Sequence, residues 1–163
     1  MKPEYLDILK VQEEQLQFKK FGSTEALTLG NAVAELAWEY DRGISVAIVR
    51  EQDDMILFSY SMDDKKKRNL DFMQAKRRAA KLSGHCSLWP YVEHELTGRW
   101  QEIIDQVPEI LPVGGAFPIR AENNWVATLM ISGLHEGKDH ELAVRSLSSV
   151  LGVEVPEFPG IAV

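Results

Sequence analysis

Residues that could hold an anionic ligand stand in three places along this sequence. The first is the run GGAFPIR at 114–120, where a glycine pair opens backbone conformations closed to other residues and an arginine follows. The second is Ser132-Gly133, with His140 shortly after it, and the third is a basic stretch that contains Lys76. Glycine amides, helix N-termini and cations are the groups with which proteins bind anions, so these places predict a binding pocket.

His140 lies where a helix is expected to begin. The acidic and glycine residues at 137–139 suit a helix start, Gly152 suits a helix end, and the apolar residues between them recur at helical spacing. Extending this apolar face backward by one turn reaches His140. A first-turn histidine usually packs and caps, and it is also a candidate ligand.

Lys76 lies on the inward face of another predicted helix, over roughly 64–82. Asn69, Phe72, Met73 and Ser83 share that face with it. A buried lysine is costly unless it is paired. Three interpretations stay open: the ammonium reaches the rim of the fold, pairs with a buried acid, or lines a pocket for an anion.

The basic helix does not predict nucleic-acid binding. Residues 65–81 carry eight basic side chains against one acid, yet the whole chain has a net charge of −7. Lys65 to Arg68 are interpreted as a solvated face, and only Phe72 could stack on a base. We therefore expect neither a nucleic-acid partner nor a membrane partner.

The order of elements predicts the fold class. Helices over 3–14, 24–40, 64–82 and 137–151 are interleaved with a weak edge strand at 15–21 and with hairpins at 44–61 and 116–132, the second turning at 122–124. This is an α+β pattern, a mostly antiparallel sheet covered by helices, of the profilin-like or PAS-like type.

Three local expectations can be checked directly. The 24–40 helix should bury a wide apolar face that includes Leu27 and Trp38, with Gly30 close to the sheet. In the last strand, Trp125 should share a face with Ala127 and Leu129. Pro118 should lie at a sheet edge, at a strand start or opposite a bulge.

Composition predicts one domain, residues 1–155, followed by a C-terminal tail, 156–163. Cys86 is the only cysteine, no signal sequence or apolar span is evident, and a cytoplasmic location is expected. His85, Cys86 and His94 have no zinc-like spacing. They are interpreted as structural, so no intrinsic metal site is predicted.

Three motifs follow one another in this sequence: Gly114-Gly115-Ala116-Phe117-Pro118-Ile119-Arg120, Ile131-Ser132-Gly133-Leu134 and Asp139-His140. Together they resemble the haem-degrading domain family, the GlcG-like and PduO C-terminal-like proteins. Leu29-Gly30 and Asn69 with Lys76 resemble an uncharacterised branch of that family. The resemblance covers residues 20–151.

The resemblance implies an α/β/α sandwich with a five-stranded sheet, a homo-oligomer that is a dimer or larger, and haem or corrinoid as cofactor in some relatives. Carried over residue by residue, the ligand-binding set is Asn69, Lys76, Gly114, Gly115, Phe117, Pro118, Arg120, Ser132, Gly133 and His140. His140 would be the axial ligand, with His85, His94 and His135 as substitutes.

Two functions follow as expectations. The first is a module that binds haem or another small anionic ligand. If this module is an enzyme, its reaction would be that of the bound cofactor. The second is a non-enzymatic oligomer that acts through protein contacts, with the apolar tail 158–163 docked on a neighbour.

Overall fold

The chain forms a five-stranded sheet with helices on both faces, as described by a computed structural model over residues 1–135 and 137–160. The strands are β1 (Gln17–Phe18), β2 (Ser45–Arg50), β3 (Ile56–Ser61), β4 (Ala116–Ala121) and β5 (Asn124–Ser132). The helices are α1 (Glu4–Gln15), α2 (Ser23–Leu36), α3 (Lys67–Ser83), α4 (Trp89–Thr97), α5 (Gln101–Ile104) and α6 (Lys138–Leu151), with a 3₁₀ turn at Ala37–Glu39.

The strand order is β1-β4-β5-β2-β3, with antiparallel pairing everywhere except between β1 and β4. The predicted α+β class and the mostly antiparallel five-stranded sheet are confirmed. Helices α2 and α6 pack together on one face, and α3 covers the other. Strand β5 lies in the middle and is apolar on both sides, since Leu129 faces the α2–α6 core and Met130 faces α3.

The β4–β5 hairpin turns through Glu122 and Asn123, whose φ values of 49° and 69° are both positive. Two left-handed residues in a two-residue loop match the natural twist of a hairpin. The pairing of β4 with β5 changes register between Ile119 and Arg120, which forms a β-bulge. Because this bulge turns Trp125 toward the α3 face, the prediction that Trp125 shares a face with Ala127 is wrong.

Pro118 lies beside this bulge, on a stretch of β4 that has only one neighbouring strand. Strand β1 pairs with Arg120 and Ala121 alone, so nothing in the sheet requires an amide hydrogen at Pro118. The expected edge or bulge position is therefore confirmed.

Helix α2 is shorter and less covered than expected. It ends at Leu36, and the side chains of Leu27 and Trp38 are 55% and 74% exposed, so the predicted wide buried face is wrong. The sheet ends at β3, and no described element covers these two side chains. The close approach at Gly30 is confirmed, because a Cβ there would overlap the ring of Phe58.

Helix α3 begins at Lys67, three residues later than the sequence suggested. The Asn69 side-chain oxygen accepts a hydrogen bond from the amide of Lys66 at 3.0 Å, which caps the helix at that point. No helix among residues 1–135 and 137–160 is long and apolar enough to cross a membrane.

The start of the tail packs on its own chain. Gln12 donates to the Pro156 carbonyl at 2.8 Å, and the Phe158 ring lies edge-on to Tyr5 and to His140. The remainder of the predicted docking segment, 161–163, lies outside the described residues.

Candidate functional site

Five of the ten predicted ligand residues line one cleft, of about 350 Å³, where α3 and α6 begin. They are Asn69, Lys76, Gly114, Ser132 and Gly133. The end of β5 supplies Ser132 and Gly133, while the loop before β4 supplies Gly114. We call this the α3–α6 cleft; its volume lies within the range of small-molecule sites, roughly 300–1,000 Å³.

A buried ion pair forms the floor of the cleft. The Lys76 ammonium donates to Asp139 Oδ2 at 2.8 Å and to the Ile131 carbonyl at 2.9 Å. Asp139 Oδ1 accepts from the amide of Leu134 at 3.1 Å, so the carboxylate also fixes the loop that leads into α6. Of the three interpretations of Lys76, pairing with a buried acid is confirmed, and the pair lines a pocket as well.

Asn69 and Ser132 form a second contact between α3 and the end of β5. The Asn69 amide nitrogen donates to Ser132 Oγ at 3.2 Å while its oxygen caps α3. Both residues are nearly buried, with 8% and 3% of their surface exposed. Their hydrogen bond holds the start of α3 against the end of β5, and the Ser132 hydroxyl lies at the wall of the cleft.

The glycine pair permits close packing beside the ion pair. A Cβ on Gly114 would lie 2.7 Å from the Cβ of His140, and Gly115 has a φ of 137° with the Lys76 ammonium 2.8 Å from its hypothetical Cβ. Ser87 was not predicted from sequence, yet it secures this turn. Its hydroxyl donates to the Val113 carbonyl at 2.5 Å and accepts from the Ala116 amide at 3.0 Å.

The mouth of the cleft is basic. Arg42, Lys65, Arg68 and His135 line it, together with Asp64. The interpretation of 65–68 as a purely solvated face is wrong for Lys65, whose side chain is only 11% exposed. The predicted ligand set omits Arg42, which stands in a turn with no periodic signal. It also omits Asp139, which the sequence analysis names only as part of the Asp139-His140 motif.

His140 does not face this cleft. It is buried as expected, 2% exposed, but its Nε2 lies 2.8 Å from Gln12 Oε1 and its ring lies beside Phe117. Burial lowers the pKa of His140 to about 4, which keeps the ring neutral. Phe117 is fully buried in the same core, so neither side chain reaches a ligand in the α3–α6 cleft.

Arg120 lies at a different cleft, of about 410 Å³, beside α1. Its guanidinium donates to Glu13 Oε1 at 3.1 Å, and Glu13 Oε2 lies 3.2 Å from His85 Nδ1. The His85 ring stacks on Trp89 with a centroid separation of 3.7 Å. Arg120 thus joins β4 to α1, away from Lys76.

Cys86 and His94 have surroundings that suit structural roles. Burial raises the pKa of the Cys86 thiol well above its ordinary value, which suppresses the reactive thiolate. His94 Nε2 lies 2.8 Å from Gln101 Oε1. Among residues 1–135 and 137–160, no three histidine, cysteine or acidic side chains are grouped as metal ligands would be.

Comparison with known proteins assigns the chain to a family. A family model described as "Haem degrading protein HbpS-like" matches residues 21–148. A UPF0303 protein of Psychromonas ingrahamii is 30% identical over 155 residues, which cover 93% of this chain and 96% of that protein.

Two solved structures share the fold. The Ybr137w protein has a TM-score of 0.79 at 25% identity, covering 90% of this chain and 88% of that one. The PduOC:Heme complex has a TM-score of 0.64 at 16% identity, covering 85% and 98%. With a family match over most of its length, this protein belongs to the HbpS-like family of haem-degrading proteins.

Proposed function

We propose that this protein binds haem in the α3–α6 cleft. The observation that carries the proposal is the make-up of that cleft, which combines an apolar wall, an imidazole and several cations. The description of the family model and the haem complex of PduOC, which shares the fold, support haem as the ligand.

The residues present suit a tetrapyrrole. Phe72, Leu111, Val113 and Leu134 supply apolar contact for a ring system. His135 is exposed at the same cleft, and histidine is a common axial ligand of haem iron. His135 therefore replaces His140 as our candidate axial ligand, since His140 is buried against Gln12.

The cations at the mouth favour haem over a corrinoid. Haem carries two propionate carboxylates, whereas the corrin ring of a cobalamin carries mainly neutral amides. Arg42 and Arg68 match carboxylates better than amides because each guanidinium carries a full positive charge, and a hydrogen bond to a charged acceptor is stronger than one to a neutral amide.

Any reaction would draw its redox chemistry from the bound haem iron. The chain's own contribution would be to bind and orient the ring. Asn69 and Ser132 hold the start of α3 against the end of β5, and Asp139 holds Lys76 and the loop before α6. We propose a haem-binding module and assign it no particular reaction.

A haemin titration followed by absorbance tests this function. The wild-type protein is expected to give a saturable Soret shift near one equivalent. His135→Ala should change the Soret band and weaken binding, because it removes the proposed axial ligand. His85→Ala is the matched control, since His85 is a partly exposed histidine at the other cleft.

The two variants also test the place of binding. A Soret shift lost in His85→Ala and kept in His135→Ala would move the haem to the cleft beside α1 and contradict the assignment. A change that never saturates, and that is the same in all three proteins, would contradict haem binding altogether.

A second candidate function is action through contacts between protein chains. Strand β3 is a six-residue edge strand, and Ile56 and Tyr60 on it are 60% and 40% exposed. Leu27 on α2, the helix that packs against β3, and Trp38 in the 3₁₀ turn after it add exposed apolar surface. An uncovered edge strand can pair with the same strand of a second copy, so we propose a homo-oligomer of at least two chains.

Light scattering after gel filtration tests this proposal. The wild type is expected to have at least the mass of a dimer, and Trp38→Glu combined with Tyr60→Lys should shift it to a monomer. Asp71→Lys on the exposed side of α3 is the control for a change of surface charge. A monomeric wild type would contradict the proposed oligomer.

A further inference from the structure

Two arginines at the mouth of the α3–α6 cleft carry charges that the described residues leave unpaired. Arg42 follows the 3₁₀ turn after α2, and Arg68 lies in the first turn of α3. Within residues 1–135 and 137–160, neither guanidinium forms an ion pair or a side-chain hydrogen bond, although both are exposed and line the cleft. Both therefore remain able to bind an anion.

The turns that carry these arginines are packed tightly against each other. A Cβ on Gly43 would overlap the carboxylate of Asp64, and a Cβ on Gly133 would overlap the Gly43 carbonyl. The turn at 41–43 is thus held between the loop before α3 and the end of β5. Arg42 and Arg68 consequently belong to the same wall of the cleft, although they are far apart in sequence.

The other charges at the cleft are already offset. The Lys76 ammonium is paired with Asp139 at 2.8 Å, and the Lys65 ammonium lies 3.4 Å from Asp64. Each of these pairs carries little net charge, so it attracts an anionic ligand only weakly. The N-terminal end of α3, beside Arg68, adds partial positive charge. Arg42 and Arg68 are thus the guanidinium groups of the cleft lining that no acidic side chain of that lining pairs with.

We infer that Arg42 and Arg68 bind two carboxylates on one edge of a planar ligand, so that the cleft selects dicarboxylate tetrapyrroles. This inference rests on the haem-binding function proposed above. It orients the ligand with its apolar body against Phe72 and Leu134 and its carboxylates at the mouth.

The test compares each porphyrin with its dimethyl ester, in which both carboxylates are blocked. Haemin and metal-free mesoporphyrin are titrated beside their dimethyl esters into the wild type, Arg42→Ala, Arg68→Ala and the double variant. An exposed arginine–carboxylate pair accounts for up to about fivefold in affinity. Additive contributions from two separate arginines then give up to about 25-fold.

The control is the double variant Lys67→Ala with Arg78→Ala. It removes two basic side chains of the same helix that do not line the cleft, Lys67 being paired with Asp71 and Arg78 with the Glu109 carbonyl. A general effect of net charge would weaken binding equally in the control and in the cleft variants. A specific effect is expected in the cleft variants alone.

The outcomes separate this inference from the function on which it rests. Support requires that the wild type prefer the free acids, that Arg42→Ala with Arg68→Ala abolish the preference, and that the control keep it. Saturable haemin binding with equal affinity for acid and ester, or equal losses in cleft and control variants, would overturn the inference and leave haem binding intact. Failure of haemin to bind saturably would contradict both.

Discussion

Replacement of Lys76 by methionine removes the charge at the floor of the α3–α6 cleft while keeping most of the side chain's volume. Lys76 and Asp139 are 4% and 5% exposed, so little water can reach the place of the lost ammonium. In the variant, the Asp139 carboxylate keeps the Leu134 amide at 3.1 Å and loses its counter-charge. The Ile131 carbonyl loses a donor as well.

Removing one partner of a buried ion pair costs about 3–5 kcal/mol. In a chain of this length, that corresponds to a fall in Tm on the order of 10 °C. Lys67→Met is the matched control on the same helix, because the Lys67 side chain is 84% exposed and its pair with Asp71 should contribute less than about 1 kcal/mol.

A double-mutant cycle identifies the cause. Asp139→Asn keeps an acceptor for the Leu134 amide and removes the uncompensated charge, so the combined variant should recover about 2 kcal/mol relative to the sum of the single changes. The measurement is urea unfolding followed by circular dichroism. A loss below about 1 kcal/mol in Lys76→Met, with additive behaviour in the double variant, would refute the structural role given to the pair.

Three further predictions concern neighbouring parts of the fold. Because burial holds the pKa of His140 at about 4, below its ordinary 6.5, the unfolded chain binds more protons between these values. Stability should therefore fall by up to about 3 kcal/mol as the pH drops from 6.5 toward 4, and His140→Gln should flatten this dependence in urea unfolding at a series of pH values. Gly30→Ala should destabilise by about 1–3 kcal/mol despite its better helix propensity, because its Cβ would overlap the Phe58 ring; Phe58→Leu should restore the loss in thermal unfolding, and no recovery would contradict the overlap. Ser87→Ala should cost about 1–3 kcal/mol, since it leaves the hydrogen bonds of the 113–116 turn unmade; a Tm equal to that of the wild type would count against this role.

The strands and the main hairpin could be predicted because their signals are local. A nearly continuous apolar run marks β5, and the residues at 122–124 mark its turn. Trp125 was placed on the wrong face because a bulge arises from pairing with β4. Pairing is a property of two strands, and no pattern within one strand records it.

Leu27 on α2 and Trp38 in the 3₁₀ turn after it illustrate a similar limit. The apolar residues of this segment are spaced as a buried face would be, yet these two side chains are 55% and 74% exposed. Sequence spacing shows which residues share a side of a helix. Whether that side is covered depends on which other elements pack against it.

Helical periodicity predicts that Lys76 and His140 each lie on the inward side of a helix, and both are buried. The partners of these two side chains depend on how the helices pack on the sheet. Helices α3 and α6 cover opposite faces of the sheet, and successive residues of a helix point about 100° apart. Asp139 therefore turns toward Lys76 at the cleft, while its neighbour His140 turns into the core toward Gln12. Apolar periodicity shows that a side chain is buried, whereas its partner depends on long-range packing that the pattern does not contain.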